Sequence, residues 1–147
     1  MNGDMRGLAC ISIAALIVAL AGVASGSAAA PAPIATIVRH GGLCAARSEC
    51  RWVLRITETT ISGDGYVSRR LTPASRAELL RAIKKLSLAY LRAHPFKGTC
   101  PTAYDGAEST YRFRDFATAL PSCTYDLSGV EAVRQTNRLL ATLRPRR

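Results

Sequence analysis

RWVLRITETTISGDGYVSRRLTPASRAELLRAIKKL, residues 51 to 86, changes period partway along, and that change decides the fold. Over RWVLRITE, 51 to 58, side chains alternate: Trp52, Leu54 and Ile56 point one way and Val53, Arg55 and Thr57 the other, the two-residue period of a half-buried strand. SGDG, 62 to 65, is turn chemistry, and YVSRRL after it predicts a third strand. Thr72 before Pro73 then has the form of a helix N-cap with proline at the first helical position. Leu79, Leu80, Ile83 and Leu86 mark one face of that helix, with Arg76, Arg81, Lys84 and Lys85 turned largely away.

Outward from this segment the same reading extends to both ends. IATIVRH, 34 to 40, is rich in β-branched residues and predicts a first strand that ends at the Gly41-Gly42 turn. Residues 87 to 93 continue the helix or restart it as a short second one, before His94-Pro95 disfavours helical backbone. A loop rich in Gly, Pro and Thr carries Cys100, and Asp105-Gly106 turns into a fourth strand in which Tyr111 and Phe113 share a face. Residues 117 to 125 predict a fifth strand ending near Cys123. Ser128 with Glu131 three residues on is a capping-box pattern, and Val130, Val133, Leu140 and Leu143 form the buried stripe of a last helix. The order β-β-β-α-β-β-α implies an α+β domain, an antiparallel sheet with helices on one face.

The N-terminus sets the compartment. Arg6 precedes GLACISIAALIVALAGVASGSAAA, which carries no charge, and PAPIA follows; together they have the form of a secretory signal peptide. Cleavage is expected after Ala28 or Ala29, because a cut after Ala30 would place Pro31 across the scissile bond. An uncleaved anchor is the second reading of this run, since it is long enough to span a bilayer. Cys10 sits near the start of the apolar run, whereas a lipidated cysteine follows it. Residues 29 to 147 remain as one small domain, with no transmembrane segment after cleavage and a secreted, periplasmic or envelope location.

Removing the leader leaves four cysteines, Cys44, Cys50, Cys100 and Cys123, an even number in an exported chain. Of the three pairings, the spacing favours Cys44 with Cys50, which flank the short polar AARSE connection, and Cys100 with Cys123. The bridges are worth roughly 2 to 3.5 kcal/mol each by loop entropy. Cys100 as a catalytic thiol beside His94 is the competing reading, but export and an available mate favour the staple. His94 itself is placed at a helix end, near carbonyls that favour a partly protonated ring.

No zinc-ligand spacing, phosphate loop or GxSxG occurs, so no catalytic residue, metal or cofactor is expected. The chain carries 20 Lys and Arg against 10 Asp and Glu, a net +10. That charge attracts anionic polymers and surfaces. It also suits a basic nuclease, for which Glu58, Glu108, Arg112, His40 and His94 are the available parts, although no spacing in the sequence brings them together. Aromatics do not interleave with the basic residues as a base-stacking platform requires, so no specific nucleic-acid partner is expected.

VRHGGLC at 38 to 44 and HPFKGTCPTAYDG at 94 to 106 resemble signatures shared by a group of small secreted bacterial proteins; the likeness spans the mature chain and brings no activity with it. More distantly, the element order is similar to emfourin-type inhibitors of thermolysin-like metalloproteases, with Arg39, Gly41 and Gly42 in the place of an R-x-GG turn. The cysteines around the turn and the basic charge depart from that pattern. The likeness implies inhibition of a secreted protease. The expectation is therefore a secreted, non-enzymatic binding domain that contacts another exported protein through Gly41, Gly42 and Leu43 on one loop and Tyr104, Asp105 and Gly106 on another. The alternatives are a basic secreted nuclease and an envelope protein that binds anionic polymers by charge.

Overall fold

A computed structural model describes residues 32–42 and 50–146. The leader and its cleavage site, Leu43, Cys44 and the rest of the 43–49 segment, and Arg147 lie outside the described residues. Strands β1 (Ala35–Gly41), β2 (Arg51–Ile56), β3 (Thr60–Gly63), β4 (Tyr66–Val67) and β5 (Arg69–Arg70) come first, followed by helices α1 (Pro73–Lys84) and α2 (Leu88–Ala93). After a 3-10 turn at Pro101–Tyr104, β6 (Ala107–Phe113), β7 (Phe116–Pro121), α3 (Glu131–Leu140) and β8 (Arg144–Pro145) complete the chain. Six strands form one antiparallel sheet in the order β5-β3-β2-β1-β6-β7, and β4 pairs with β8 beside it. This is the expected α+β architecture.

The period-2 alternation sorts the sheet into two faces. Ala35 and Ile37 on β1 register with Ile56 and Leu54 on β2 and with Phe113 and Tyr111 on β6. These residues pack with Leu120, with Leu79, Ala82 and Ile83 of α1, with Leu91 of α2 and with Val133 and Leu139 of α3. Leu79 and Leu120 are completely buried, each worth about 1.5–3 kcal/mol of hydrophobic stabilisation. The opposite face carries Thr36, Val38 and His40, Arg51, Val53 and Arg55, and Glu108, Thr110 and Arg112. Among the described residues the main hydrophobic cluster lies on the side of the helices, while Val53 is buried on the opposite face.

Local competition moved several boundaries. The Thr57 hydroxyl accepts from the Thr60 amide, and the Thr57 amide donates to the Thr60 carbonyl. The chain therefore reverses at 57–60, Ser62 and Gly63 join β3, and only Asp64-Gly65 remains as the turn. YVSRRL is not a single third strand: β4 and β5 divide it between two sheets. The Ser87 hydroxyl caps α2 by accepting from the Tyr90 amide, which settles the restart, and Thr72 caps α1 through the Ser75 amide as expected. The capping box at Ser128 does not form. Its amide and hydroxyl both donate to the Asp126 carboxylate, a local Asx turn that spends the side chain before the helix begins. Those bonds also hold the Asp126 carboxyl below its ordinary range. The helix starts at Glu131 with Val130 at its N-cap and no capping side chain. The fifth strand stops at Pro121, so Cys123 lies in the turn beyond it.

Candidate functional site

β1 is central, and its register determines what lies at its end. Gly41 pairs with Ala107, the first residue of β6, so the Gly41-Gly42 turn sits directly against the loop that closes at Gly106. Both glycines have positive φ, 92° and 95°, which a side chain would strain. A Cβ on Gly41 would also lie 2.7 Å from the Gly106 carbonyl oxygen. The Gly41 amide donates to the Cys50 carbonyl at 2.9 Å, closing the turn from the β2 side. The second loop is a 3-10 turn terminated by Asp105 in the left-handed region, φ 56°, with the Gly106 amide donating to the Pro101 carbonyl. Proline at its start and an αL residue at its end are sufficient local reason for that shape.

Residues 101 to 105 are all exposed, and Tyr104 retains 77% of its surface. Cys100 anchors the loop through a disulfide to Cys123, with a Cα separation of 5.3 Å, inside the bridging range. The Thr102 hydroxyl lies 3.1 Å from the Cys100 sulfur, and with that sulfur oxidised the hydroxyl is the donor. Behind the two loops is a cleft of about 420 Å³, lined by them and by Arg39, Trp52, Leu54 and Tyr66. Arg39 and Trp52 are cross-strand neighbours in it. Gly41, Gly42, Asp105 and Gly106 thus converge on one end of the sheet with Tyr104 alongside, while Leu43 lies outside the described residues.

The bridge removes Cys100 as a nucleophile. Cys50 is also a disulfide cysteine, and its sulfur contacts the Gly42 carbonyl oxygen at 2.9 Å; the pairing with Cys44 falls outside the described residues. Glu108 has a carboxylate oxygen within 4.8 Å of both Cys100 and Cys123 sulfurs. Because those sulfurs are bonded to each other, the trio offers a metal one carboxylate and no thiolate.

The residues weighed for nuclease chemistry are distributed over three places. His40 Nε2 lies 3.2 Å from Glu108 Oε2 on the helix-free sheet face, with Arg112 on the same face four residues along β6. Glu58 sits in the β2–β3 turn between Arg114 and Arg76; the Arg114 hydrogen bond above all holds its carboxyl below its ordinary range, with burial opposing it and the Arg76 charge adding to it. His94 caps α2 at the C-terminal end, its ring 2.8 Å from the Tyr90 carbonyl and stacked on the Tyr90 ring. A helix-end role was legible for His94, whereas the His40–Glu108 pair depends on a strand pairing between residues far apart in the chain. Sequence reasoning set Arg39 beside the Gly41-Gly42 turn but missed the cleft residues Trp52 and Tyr66: Trp52 meets Arg39 through the β1–β2 register, and Tyr66 belongs to β4, which pairs outside the main sheet.

Comparison with known proteins returns no matching protein-family profile, no matching curated protein and no matching solved structure.

Proposed function

We propose that this chain is a secreted, non-enzymatic binding domain of protease-inhibitor type, which contacts a secreted protease through the Cys100–Gly106 loop and the adjoining Gly41-Gly42 turn. One observation carries the reading: a loop exposed from residue 101 to 105 is tied at its base by a disulfide and buttressed by a second turn. A loop held in one shape before contact loses little conformational freedom on binding, so more of its contact energy appears as affinity. Tyr104 is the anchor of such a contact, because exposed tyrosines give large area at low entropic cost. The leader and the disulfide agree with an exported location, and no helix among the described residues is long and apolar enough to cross a membrane.

The test is residual activity of a panel of secreted metalloproteases and serine proteases incubated with the purified domain. Inhibition of at least one, weakened about 30-fold by Tyr104→Ala at unchanged stability, is the expected result. No inhibition across the panel, together with RNA hydrolysis that His40→Ala or His94→Ala abolishes, replaces this reading with the nuclease.

A further inference from the structure

The helix-free face of the sheet carries a second, separate chemistry. Register and alternation put Arg55, Thr36 and Arg112 in one row across β2, β1 and β6, with Ser62 of β3 beside Arg55. Arg51 lies in a second row with His40 and Glu108. Arg70 pairs with Thr60 at the β5 edge of the same face. All four arginines are exposed, and none takes part in an ion pair among the described residues. Among the described residues, the Glu108 carboxylate on this face accepts from the Cys123 amide and pairs with His40, and Asp64 accepts from the Val53 amide.

We propose that this face binds the phosphodiester backbone of nucleic acid, without regard to base sequence. The cations are all guanidinium groups, in a chain whose Lys and Arg include only three lysines, Lys84, Lys85 and Lys97, none of them on this face. Guanidinium matches phosphate oxygens two at a time, where ammonium acts as a point charge. Thr36, Ser62 and Thr110 intersperse hydroxyl donors among them, the second group that commonly contacts backbone phosphates. Arg55 and Arg112 stand two strand spacings apart, roughly 10 Å, and Arg51 and Arg55 are roughly 13 Å apart along one strand. The cations are therefore spread across the face so that a chain of phosphates meets several at once. Nucleic acid is chosen over an anionic membrane because the described face offers no exposed large apolar side chain to insert; Val53 is buried and Val38 half-buried. Bases are left unread because, among the described residues, no Phe, Tyr or Trp stands on this face to stack them, and the one imidazole there, His40, is paired with Glu108.

The experiment measures binding of a labelled mixed-sequence single-stranded oligonucleotide by fluorescence anisotropy across a salt series, using the full mature chain. Each phosphate neutralised contributes about 0.7 to the slope of log affinity against log salt for a single strand. The Arg55→Ala/Arg112→Ala double variant is expected to reduce that slope by about 1.4 and to weaken binding equally for unrelated sequences. Arg55→Lys/Arg112→Lys, which keeps the charge and guards against misfolding of the alanine variant, retains the slope and weakens binding less. The control, Arg81→Ala/Arg92→Ala, removes the same charge from the helical side and leaves the slope unchanged. Equal losses in control and face variants would reduce the effect to bulk charge and overturn the assignment. So would absence of binding at low salt, or phosphatidylglycerol vesicles or heparin displacing the oligonucleotide from the alanine variant as readily as from the parent.

Discussion

Thr136 is completely buried in α3, and its Oγ1 has no hydrogen-bond partner among the described residues. A buried hydroxyl without a partner loses its bonds to water and receives nothing in return, at a cost of about 1–3 kcal/mol. Valine has nearly the same shape and no such group, at a small cost in helix propensity. Thr136→Val is therefore expected to raise stability by about 1 kcal/mol, measured as a higher urea midpoint with an unchanged slope. A lower midpoint would mean that the hydroxyl has found a bond. The contrast with Thr57, Thr60 and Thr72, whose hydroxyls all make short local bonds, shows that the same side chain serves turns and caps well and helix interiors poorly.

At the scale of elements, the Cys100–Cys123 bridge joins the loop before β6 to the turn after β7 across a separation of 23 residues. Those two elements already form a hairpin, paired from Thr110 with Pro121 to Phe113 with Phe116, so the bridge restrains its open end. Replacing both cysteines by alanine is expected to lower stability by about 3 kcal/mol, chiefly by freeing the unfolded chain. The single change Cys100→Ala leaves Cys123 as a thiol that a maleimide reagent labels in the native protein. Retention of full stability in the double variant would show that the β6–β7 pairing alone holds the loop. The Gly41-Gly42 turn depends instead on β1 and β2, and its Gly41–Cys50 amide bond survives either change.

At the scale of the molecule, Glu58 is the tie among separate elements. It lies in the turn after β2 and meets Arg114 from the β6–β7 turn and Arg76 from the first turns of α1. The Arg114 bond and the Arg76 charge depress its folded pKa below the ordinary 4.5. A depressed carboxylate stabilises the fold fully above that ordinary value, and the contribution disappears as pH falls through the folded value. Urea midpoints of the parent are thus expected to fall on acidification from about pH 5 to pH 3. Glu58→Gln should begin lower at neutral pH and decline less steeply over that window. Glu131, held down by Arg134 and then by Arg138, contributes in the same direction, so the decline in the variant is reduced and not removed. Parallel curves for parent and variant would mean that the Glu58 pair contributes nothing at the surface.

The sequence by itself determined the elements whose signal is local. The alternation of Trp52, Leu54 and Ile56, the Thr72-Pro73 start of α1 and the shared face of Tyr111 and Phe113 are each decided by residues within a few positions, and each stands in the structure. The stripe expected of the last helix, Val130, Val133, Leu140 and Leu143, is met only in part: Val133 is buried within α3, Val130 and Leu143 are buried but lie just outside its ends, and Leu140 is partly buried. The Cys100–Cys123 bridge was also legible, because an even cysteine count leaves few pairings. Local signals failed where two of them competed for one side chain, as at Ser128, taken by Asp126, and at Thr57, which turns the chain before Ser62. Only the tertiary structure decided that β1 lies between β2 and β6, a pairing over many intervening residues whose register follows from which faces must be buried together. That register sets Gly41 against Gly106, His40 against Glu108 and Arg55 in line with Arg112. None of these meetings could be seen along the chain, since strand pairing between distant segments leaves no periodicity in either one.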